Sequence, residues 1–199
     1  MEHVVGQVTA VVPFRDPGHG KSRLRSHLNG VDRAALSETM LATVVTALGT
    51  AGVGRLVVVA GGAGAVAAAE RLGVDVVTDP PATSTLDDAV AAAVDALHPH
   101  DLLVVAADLP GVTAADITAV LASPAAVVIA PTRDGGTAAL LRRPHDVIAT
   151  AYGVDSARRH RDLAVAAGAT VEVIERPGLA LDVDTWDDLV AARARGDSV

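Results

Sequence analysis

Residues 101–108 read DLLVVAAD, and this stretch is the most strand-like run in the 199-residue chain. A short, continuous apolar run is typical of a strand that is buried on both faces, as in a parallel sheet. The run ends in a carboxylate, and Pro110 and Gly111 force a turn shortly afterwards. We therefore expect Asp108 to end a strand at the carboxyl edge of a sheet, where α/β proteins bind their ligands.

Strand-like and helix-like patterns alternate on both sides of this run. Apolar strands are predicted at residues 6–14, 55–60, 74–79, 125–131, 137–143 and 169–175. Helical periodicity covers residues 32–49, 65–73, 85–98, 113–123, 155–168 and 185–194. The alternation predicts an α/β fold in which helices cover both faces of a mostly parallel sheet. No linker or charge block interrupts it, so we expect a single domain over residues 1–199.

Composition narrows the class of protein. The net charge of -8 disfavours a nucleic-acid partner, because such proteins need a basic surface. The chain has no cysteine, which excludes disulfides and thiolate metal sites. The N-terminus lacks a signal-peptide pattern and no apolar run reaches spanning length, so we expect a cytoplasmic protein with no membrane partner.

A basic loop follows the first predicted strand in residues 11–24, VVPFRDPGHGKSRL. Arg15, Lys21 and Arg23 surround its glycines, and Lys21 is expected to start a helix. Backbone N–H groups at a helix start, together with a lysine, suit a phosphate group. The P-loop spacing fails, because its first glycine would fall on Arg15. A solvated basic turn before a helix is the alternative.

Three carboxylates are candidate metal ligands. A charge at the position of Asp108 needs a partner, for which a divalent cation is suited. Asp182 and Asp184 lie two residues apart and would point to one side of an extended segment. Asp187 and Asp188 fall in the first turn of the next helix, where negative charge suits the helix dipole.

Two further segments carry polar side chains at predicted element ends. A hairpin-like turn at residues 134–136 precedes Thr137, which starts a strand. Gly153 and Ser156 lie at a helix start, where N–H groups and a hydroxyl suit a small anion; a simple helix cap by Asp155 or Ser156 is the alternative. The seven histidines show no metal-site spacing, and we expect them to be surface residues.

One glycine pattern has two interpretations. Gly62, Gly64 and Ala67 match G-x-G-x-x-A, and Asp79 follows at the distance of a ribose-binding acid. The pattern follows the second strand of an Ala/Gly-rich chain, so we expect an ordinary strand-to-helix turn. A dinucleotide-binding oxidoreductase is the alternative.

Several motifs occur in an order that resembles one known family. Residues 11–24, ADLPGVTAADI at 107–117, APTRDGGTAALLRRP at 130–144, YGVDSARRH at 152–160 and LDVDTWDDL at 181–189 resemble the CofC/FbiD guanylyltransferases. The resemblance spans nearly the whole chain and implies a single nucleotidyltransferase-like, Rossmann-like α/β domain. It also implies transfer of GMP from GTP to a small phospho-acid with release of pyrophosphate, in the biosynthesis of coenzyme F-420. The acceptor would be phosphoenolpyruvate or 2-phospho-L-lactate, or 3-phosphoglycerate in some members.

The resemblance also implies roles for individual residues. Mg²⁺ would be held by Asp108, Asp182 and Asp184, and Lys21 and Asp108 would act in catalysis. Arg15, Lys21 and Arg23 would receive the GTP phosphates. The acceptor's carboxylate and phosphate would bind at Thr137, Gly153 and Ser156. A downstream transferase of the pathway is an implied partner for handover of the product.

One segment departs from the family pattern. Where the family commonly has Gly-Leu-Asn-Ala, this chain reads STLDDAV, with Thr85 and Asp87. Asp87 can accept hydrogen bonds from guanine N1–H and N2–H₂, so we expect it to bind the nucleotide. Alternatives are use of another base, a molybdenum-cofactor or sugar-phosphate type nucleotidyltransferase, and a non-catalytic module of the same fold.

Overall fold

The computed structural model describes residues 8–17, 21–78 and 85–199. Within these ranges the chain forms one sheet with helices on both faces. Its strands are β1 (Val8–Arg15), β2 (Arg55–Gly61), β3 (Asp75–Thr78), β4 (Asp101–Val105), β5 (Val127–Pro131), β6 (Thr137–Arg142) and β7 (Val171–Val173). Its α-helices are α1 (Gly30–Thr50), α2 (Ala63–Arg71), α3 (Leu86–Leu97), α4 (Ala114–Ala122), α5 (Ser156–Ala166) and α6 (Trp186–Arg195).

The sheet has the strand order β3-β2-β1-β4-β6-β5-β7. Strand β6 runs antiparallel to both of its neighbours, and the other pairs are parallel. The predicted α/β class with a mostly parallel sheet is therefore confirmed. The chain leaves β1 toward β2 on one side and returns to β4 on the other, which makes the β1–β4 boundary a topological switch point.

Alternating side chains of the strands feed two separate cores. On one face, Ala10 and Val12 of β1 pack with apolar residues of α1, α2 and α4. On the other face, Val11 of β1 packs with α3, and Ile129 and Leu140 pack with α5. Helix α6 packs instead against α1, through Leu189 and Met40. Burial on both sides explains why the central strands are continuous apolar runs.

Three helices begin with the same local device. A threonine hydroxyl accepts a hydrogen bond from an N–H three residues on, and the aspartate there accepts one from the threonine N–H. The capping boxes are Thr85–Asp88, Thr113–Asp116 and Thr185–Asp188. Asp187 and Asp188 lie in the first turn of α6, as expected.

Two predicted boundaries are wrong in a way that affects the site. Strand β4 ends at Val105, so Asp108 lies three residues beyond the strand and not at its end. No α-helix begins at Lys21; a single 3-10 turn, Ser22–Leu24, follows it, and the next α-helix begins at Gly30. Within the described residues, no helix is long and apolar enough to cross a membrane.

Candidate functional site

A cavity of about 320 Å³ opens beyond the carboxyl ends of β1 and β4. Its lining includes five residues that the sequence predicts as site residues: Arg15, Lys21, Asp108, Thr137 and Asp184. The remaining lining is largely apolar and includes Val59, Leu86 and Ala89, together with Ser37 and Met40 of α1. The sequence did not predict this contribution of α1, because it depends on the packing of the helix beside β1.

Lys21 joins two of the predicted metal ligands. Its Nζ donates hydrogen bonds to Asp108 Oδ2 at 2.5 Å and to Asp184 Oδ1 at 3.0 Å. The Lys21 side chain is only 10% exposed, whereas that of Asp184 is 50% exposed. Burial lowers the pKa of Lys21, but Asp108 and Asp184 outweigh it, so its net pKa lies above the usual value. Lys21 is therefore a charged ammonium between two carboxylates.

Backbone pairing brings the distant acidic segments together. The N–H of Val183 donates to the carbonyl of Asp108 at 3.1 Å, and Val183 is fully buried. Successive side chains of an extended segment point to opposite sides. The side chains of Asp182 and Asp184 are therefore expected on the side opposite to the buried side chain of Val183. Burial and then Asp108, Asp134 and Asp184 raise the pKa of Asp182 to about 6. We call Lys21, Asp108, Asp182 and Asp184 the carboxylate cluster.

The carboxylate cluster is not a closed metal cage. Among the described residues, no three acidic or histidine side chains meet at distances that would hold a metal ion by themselves. A cation here would need oxygen ligands from elsewhere, such as water or substrate phosphate. Mg²⁺ is usually bound in this way, by one or two carboxylates completed by waters and phosphates.

The other two predicted basic residues, Arg15 and Arg23, lie at the end of β1 and on the 3-10 turn that follows Lys21. Arg15 is exposed at the end of β1 and lines the cavity. Arg23 is exposed on the 3-10 turn. Hydrogen bonds from Thr132 and then Gly136 lower the pKa of the Asp134 carboxyl, and the charge of Arg23 adds a smaller decrease. The expected helix N-terminus beside Lys21 is absent, because this turn spans only three residues. Gly18 and Gly20 lie outside the described residues.

A second polar group forms where β6 begins beside α5. Thr137 Oγ1 lies 2.8 Å from Ser156 Oγ and 3.1 Å from His160 Nδ1. Ser156 is 2% exposed and His160 is fully buried. The expectation that the histidines are surface residues is therefore wrong for His160. Its position four residues after Ser156 places both on one helix face, a spacing that could have revealed it. We call Thr137, Ser156 and His160 the hydroxyl cluster.

The loop before α5 is fixed by hydrogen bonds from both sides. Ala151 N donates to His160 Nε2 at 2.9 Å, and Tyr152 N donates to Asp87 Oδ1 at 3.2 Å. Gly153 has φ of 111°, in the region that favours glycine. Asp155 precedes α5 without a side-chain cap, so the capping alternative for that residue is not observed. Asp87 thus contacts the loop that carries Gly153.

The glycine pattern after β2 forms a strand-to-helix turn. Gly62 precedes α2, and the Asp16 carboxylate accepts a hydrogen bond from Gly64 N at 3.3 Å. A Cβ atom at either glycine would come within 3.1 Å of the Asp16 side chain. The absence of a side chain at the two glycines therefore makes room for the carboxylate of Asp16, in agreement with the predicted strand-to-helix turn. Asp79 lies outside the described residues.

The structure shows a nucleotidyltransferase-like α/β fold with a cavity at the switch point of its sheet. It is similar to a nucleotidyl transferase from Methanothermobacter, with a TM-score of 0.69 at 19% identity, covering 95% of this chain and 97% of that one. The chain belongs to the guanylyl transferase CofC-like family, whose model matches residues 8–198. The family resemblance seen in the sequence is confirmed.

Two curated relatives match most of the chain. A phosphoenolpyruvate guanylyltransferase of Conexibacter woesei is 41% identical over 196 residues, which cover 92% of this chain and 86% of the relative. A 2-phospho-L-lactate guanylyltransferase of Halobacterium salinarum is 40% identical over 181 residues, which cover 90% and 81% respectively. The two identities are nearly equal, so overall similarity does not separate the two acceptors.

Proposed function

We propose that this protein transfers GMP from GTP to the phosphate of phosphoenolpyruvate or 2-phospho-L-lactate, releasing pyrophosphate, as a step of coenzyme F-420 biosynthesis. The observation that carries the proposal is one cavity lined both by Lys21, Asp108 and Asp184 and by Thr137. Such a cavity offers a cationic and metal-compatible wall next to hydroxyl donors. That combination suits a triphosphate beside a small phospho-acid. The family and the names of the relatives favour the same reaction.

The reaction needs no protein nucleophile. An ionised oxygen of the acceptor phosphate attacks the α-phosphorus of GTP, and the bond from that phosphorus to the pyrophosphate oxygen breaks. The main obstacle is repulsion between two polyanions, which cations relieve. In this proposal Arg15, Lys21 and Arg23 receive the triphosphate. Lys21 would leave its two carboxylates for a phosphate when the nucleotide binds.

The carboxylate cluster fits a divalent cation. The raised pKa of Asp182 reflects burial and three neighbouring carboxylates, a concentration of negative charge that a cation would offset. We propose that Asp108, Asp182 and Asp184 hold Mg²⁺ together with water and substrate phosphates. When bound, Mg²⁺ would stabilise negative charge on the phosphates. Asp108 would act in catalysis through this role.

The acceptor is proposed to bind at the hydroxyl cluster and the Gly153 loop. Thr137 and Ser156 supply hydroxyl groups, and the loop supplies backbone N–H groups for the carboxylate and phosphate. We assign Asp87 to the nucleotide side on the resemblance to the family; Leu86 and Ala89 of the same helix line the cavity, and Asp87 itself is not among the lining residues. The hydrogen bond that Asp87 accepts from Tyr152 N would connect the nucleotide side of the site to the loop proposed to bind the acceptor.

The test is pyrophosphate release with Mg²⁺, crossing GTP, ATP, CTP and UTP against phosphoenolpyruvate, 2-phospho-L-lactate and 3-phosphoglycerate. The downstream transferase and its acceptor are included as a trap for the product. Release with GTP and one acid would support the proposal and identify the acceptor. No release in any combination would contradict it and favour a non-catalytic module.

Handover of the product to the downstream transferase is a second part of the proposal. It is tested by comparing product accumulation with and without that enzyme. Free accumulation without the partner would contradict handover. The cytoplasmic location expected from the sequence stays a prediction.

A further inference from the structure

A buried histidine lies behind the hydroxyl groups proposed for the acceptor. His160 is fully buried, and its Nδ1 is 3.1 Å from Thr137 Oγ1. Thr137 Oγ1 is in turn 2.8 Å from Ser156 Oγ, and Thr137 lines the cavity. A chain of hydrogen bonds therefore runs from the protein interior to the cavity wall.

A backbone contact determines which ring nitrogen of His160 carries the proton. Ala151 N lies 2.9 Å from Nε2, and an amide N–H can only donate. Nε2 must therefore be the accepting nitrogen, which places the proton of the neutral ring on Nδ1. Nδ1–H then donates to Thr137 Oγ1.

The surroundings of His160 keep the ring neutral. Burial lowers its pKa to about 4, with Asp87 opposing and Arg142 and Arg159 adding to the decrease. The Tyr152 ring also packs against the imidazole in a T-shaped contact, with centroids 4.9 Å apart. At neutral pH the ring is thus a single-proton donor held in one orientation.

This orientation restricts the Thr137 hydroxyl. Since Oγ1 accepts from His160, its own hydrogen must be donated elsewhere, to Ser156 or to a ligand in the cavity. A donation to Ser156 directs the Ser156 hydrogen onward in the same way. Both arrangements present an O–H donor, which is the group that a carboxylate or phosphate oxygen requires.

We propose that His160 is a positioning residue that orients the Thr137 and Ser156 hydroxyls as donors to the acceptor acid. The inference rests on the proposed function for the chemistry of the acceptor. His160 acts through Thr137 and does not touch the substrate. Its removal should therefore weaken acceptor binding and leave GTP binding unchanged.

Two replacements separate the two ring nitrogens. His160→Asn keeps an N–H donor near the position of Nδ1, and His160→Gln keeps an acceptor near the position of Nε2. His98→Asn, at an exposed histidine after α3, is the matched control. Kinetic constants for GTP and the acid are measured by pyrophosphate release, and thermal midpoints are measured for every variant.

The expected result is a split between the two substrates. His160→Gln should raise the acceptor KM about 10-fold, as expected for loss of a hydrogen bond to a charged group, with the GTP KM within about 2-fold of wild type. His160→Asn should keep the acceptor KM within about 3-fold of wild type, because the donor is retained. In a Thr137→Val background, His160→Gln should add little, because its effect passes through Thr137.

Several outcomes would overturn the proposal. One is an acceptor KM in His160→Gln equal to that of wild type. Another is an equal rise of both KM values that follows the loss of thermal stability in the two variants. A ¹⁵N spectrum that places the proton on Nε2 would also overturn it, independently of activity. A wild-type protein without pyrophosphate release would overturn the proposed function together with this role, whereas the other outcomes leave the proposed function intact.

Discussion

The carboxylate cluster and the hydroxyl cluster both contribute side chains to one cavity, but they differ in how complete they are. In the carboxylate cluster, the side chains of Lys21, Asp108 and Asp184 are 10%, 28% and 50% exposed, and one ammonium serves two carboxylates. In the hydroxyl cluster, Ser156 and His160 are buried, and the ring nitrogens and hydroxyls have partners. We propose that ions and phosphates complete the first, whereas the hydrogen bonds of the second are already formed.

This difference has a physical reason. Charged groups are costly to bury unless they are paired, so a site for polyanions and cations stays partly solvated until its ligands arrive. Neutral hydrogen-bonding groups can be buried when every donor and acceptor is satisfied. Changes in the carboxylate cluster should therefore act on metal-dependent turnover, and changes in the hydroxyl cluster on acceptor binding and folding.

The largest expected effect is on turnover after Asp108→Asn. Loss of a carboxylate that both pairs with Lys21 and is proposed to hold Mg²⁺ should reduce kcat by about 100-fold or more. The fold should persist, because Asp108 is not part of a core. Pyrophosphate release across a Mg²⁺ series measures this, with the exposed Asp187→Asn as the control. Wild-type activity in Asp108→Asn would remove it from the metal site.

The next effect is a pH dependence of stability from His160. Its pKa of about 4 lies below the usual 6.5, so the unfolded chain takes up the proton first as pH falls. The contribution of the neutral ring is complete above pH 6.5 and is lost as pH falls toward 4. When the pH is lowered from about 7 to about 5, the free energy of unfolding of wild type should fall by about 2 kcal/mol more than that of His160→Gln. Urea unfolding at both pH values checks this, and parallel losses would contradict it.

A smaller effect is expected for Ser156→Ala. The change removes one hydroxyl of the hydroxyl cluster and leaves Thr137 and His160 in place. The acceptor KM should rise about 10-fold, because a hydrogen bond to a charged group is lost, while the GTP KM should not change. Initial rates at varied acid and saturating GTP measure it. An equal change in both constants would mean that the serine does not serve the acceptor alone.

Replacing Lys21 by Met should lower the free energy of unfolding by about 1 kcal/mol, because two ion pairs are lost whose carboxylates are partly exposed. Without the ammonium, Asp108 and Asp184 lose their shared partner. Added Mg²⁺ should therefore raise the thermal midpoint of Lys21→Met more than that of wild type. Thermal unfolding with Mg²⁺ and with EDTA measures the difference. The same increment in both proteins would show that Lys21 does not substitute for a cation.

The smallest effect is expected for Asp87→Asn. The amide oxygen can still accept the hydrogen bond from Tyr152 N, so the loop before α5 should be retained. If the carboxylate binds guanine, the preference for GTP over ATP should change by about 3-fold or more, whereas loop support alone predicts no change. Competition between the two nucleotides distinguishes the two roles. Asp87→Ala also removes the oxygen that accepts the hydrogen bond from Tyr152 N. It should therefore disturb the loop whether or not Asp87 binds guanine.

Local sequence signals located most elements but not all of their ends. The apolar run at 101–108 predicted a buried strand that ends at Asp108, yet β4 ends at Val105, and a backbone hydrogen bond from Ala106 N to the Ala138 carbonyl follows it. Its antiparallel partner β6 extends only from Thr137. Apolar periodicity reports burial, and Ala106 and Ala107 line the cavity beyond the end of the strand. The pattern therefore could not mark where pairing stops.

The features of the candidate site also divide into those that the sequence determined and those that depend on the tertiary structure. The sequence alone determined the α/β class, the family and the acidic, basic and hydroxyl residues at the element ends, because periodicity and ordered motifs are local properties of the chain. Only the tertiary structure decided that Lys21 joins Asp108 and Asp184, that Asp87 contacts Tyr152 N, and that His160 is buried behind Thr137. These contacts join residues up to 163 positions apart, and no local pattern records which side chains the crossover at the switch point brings together.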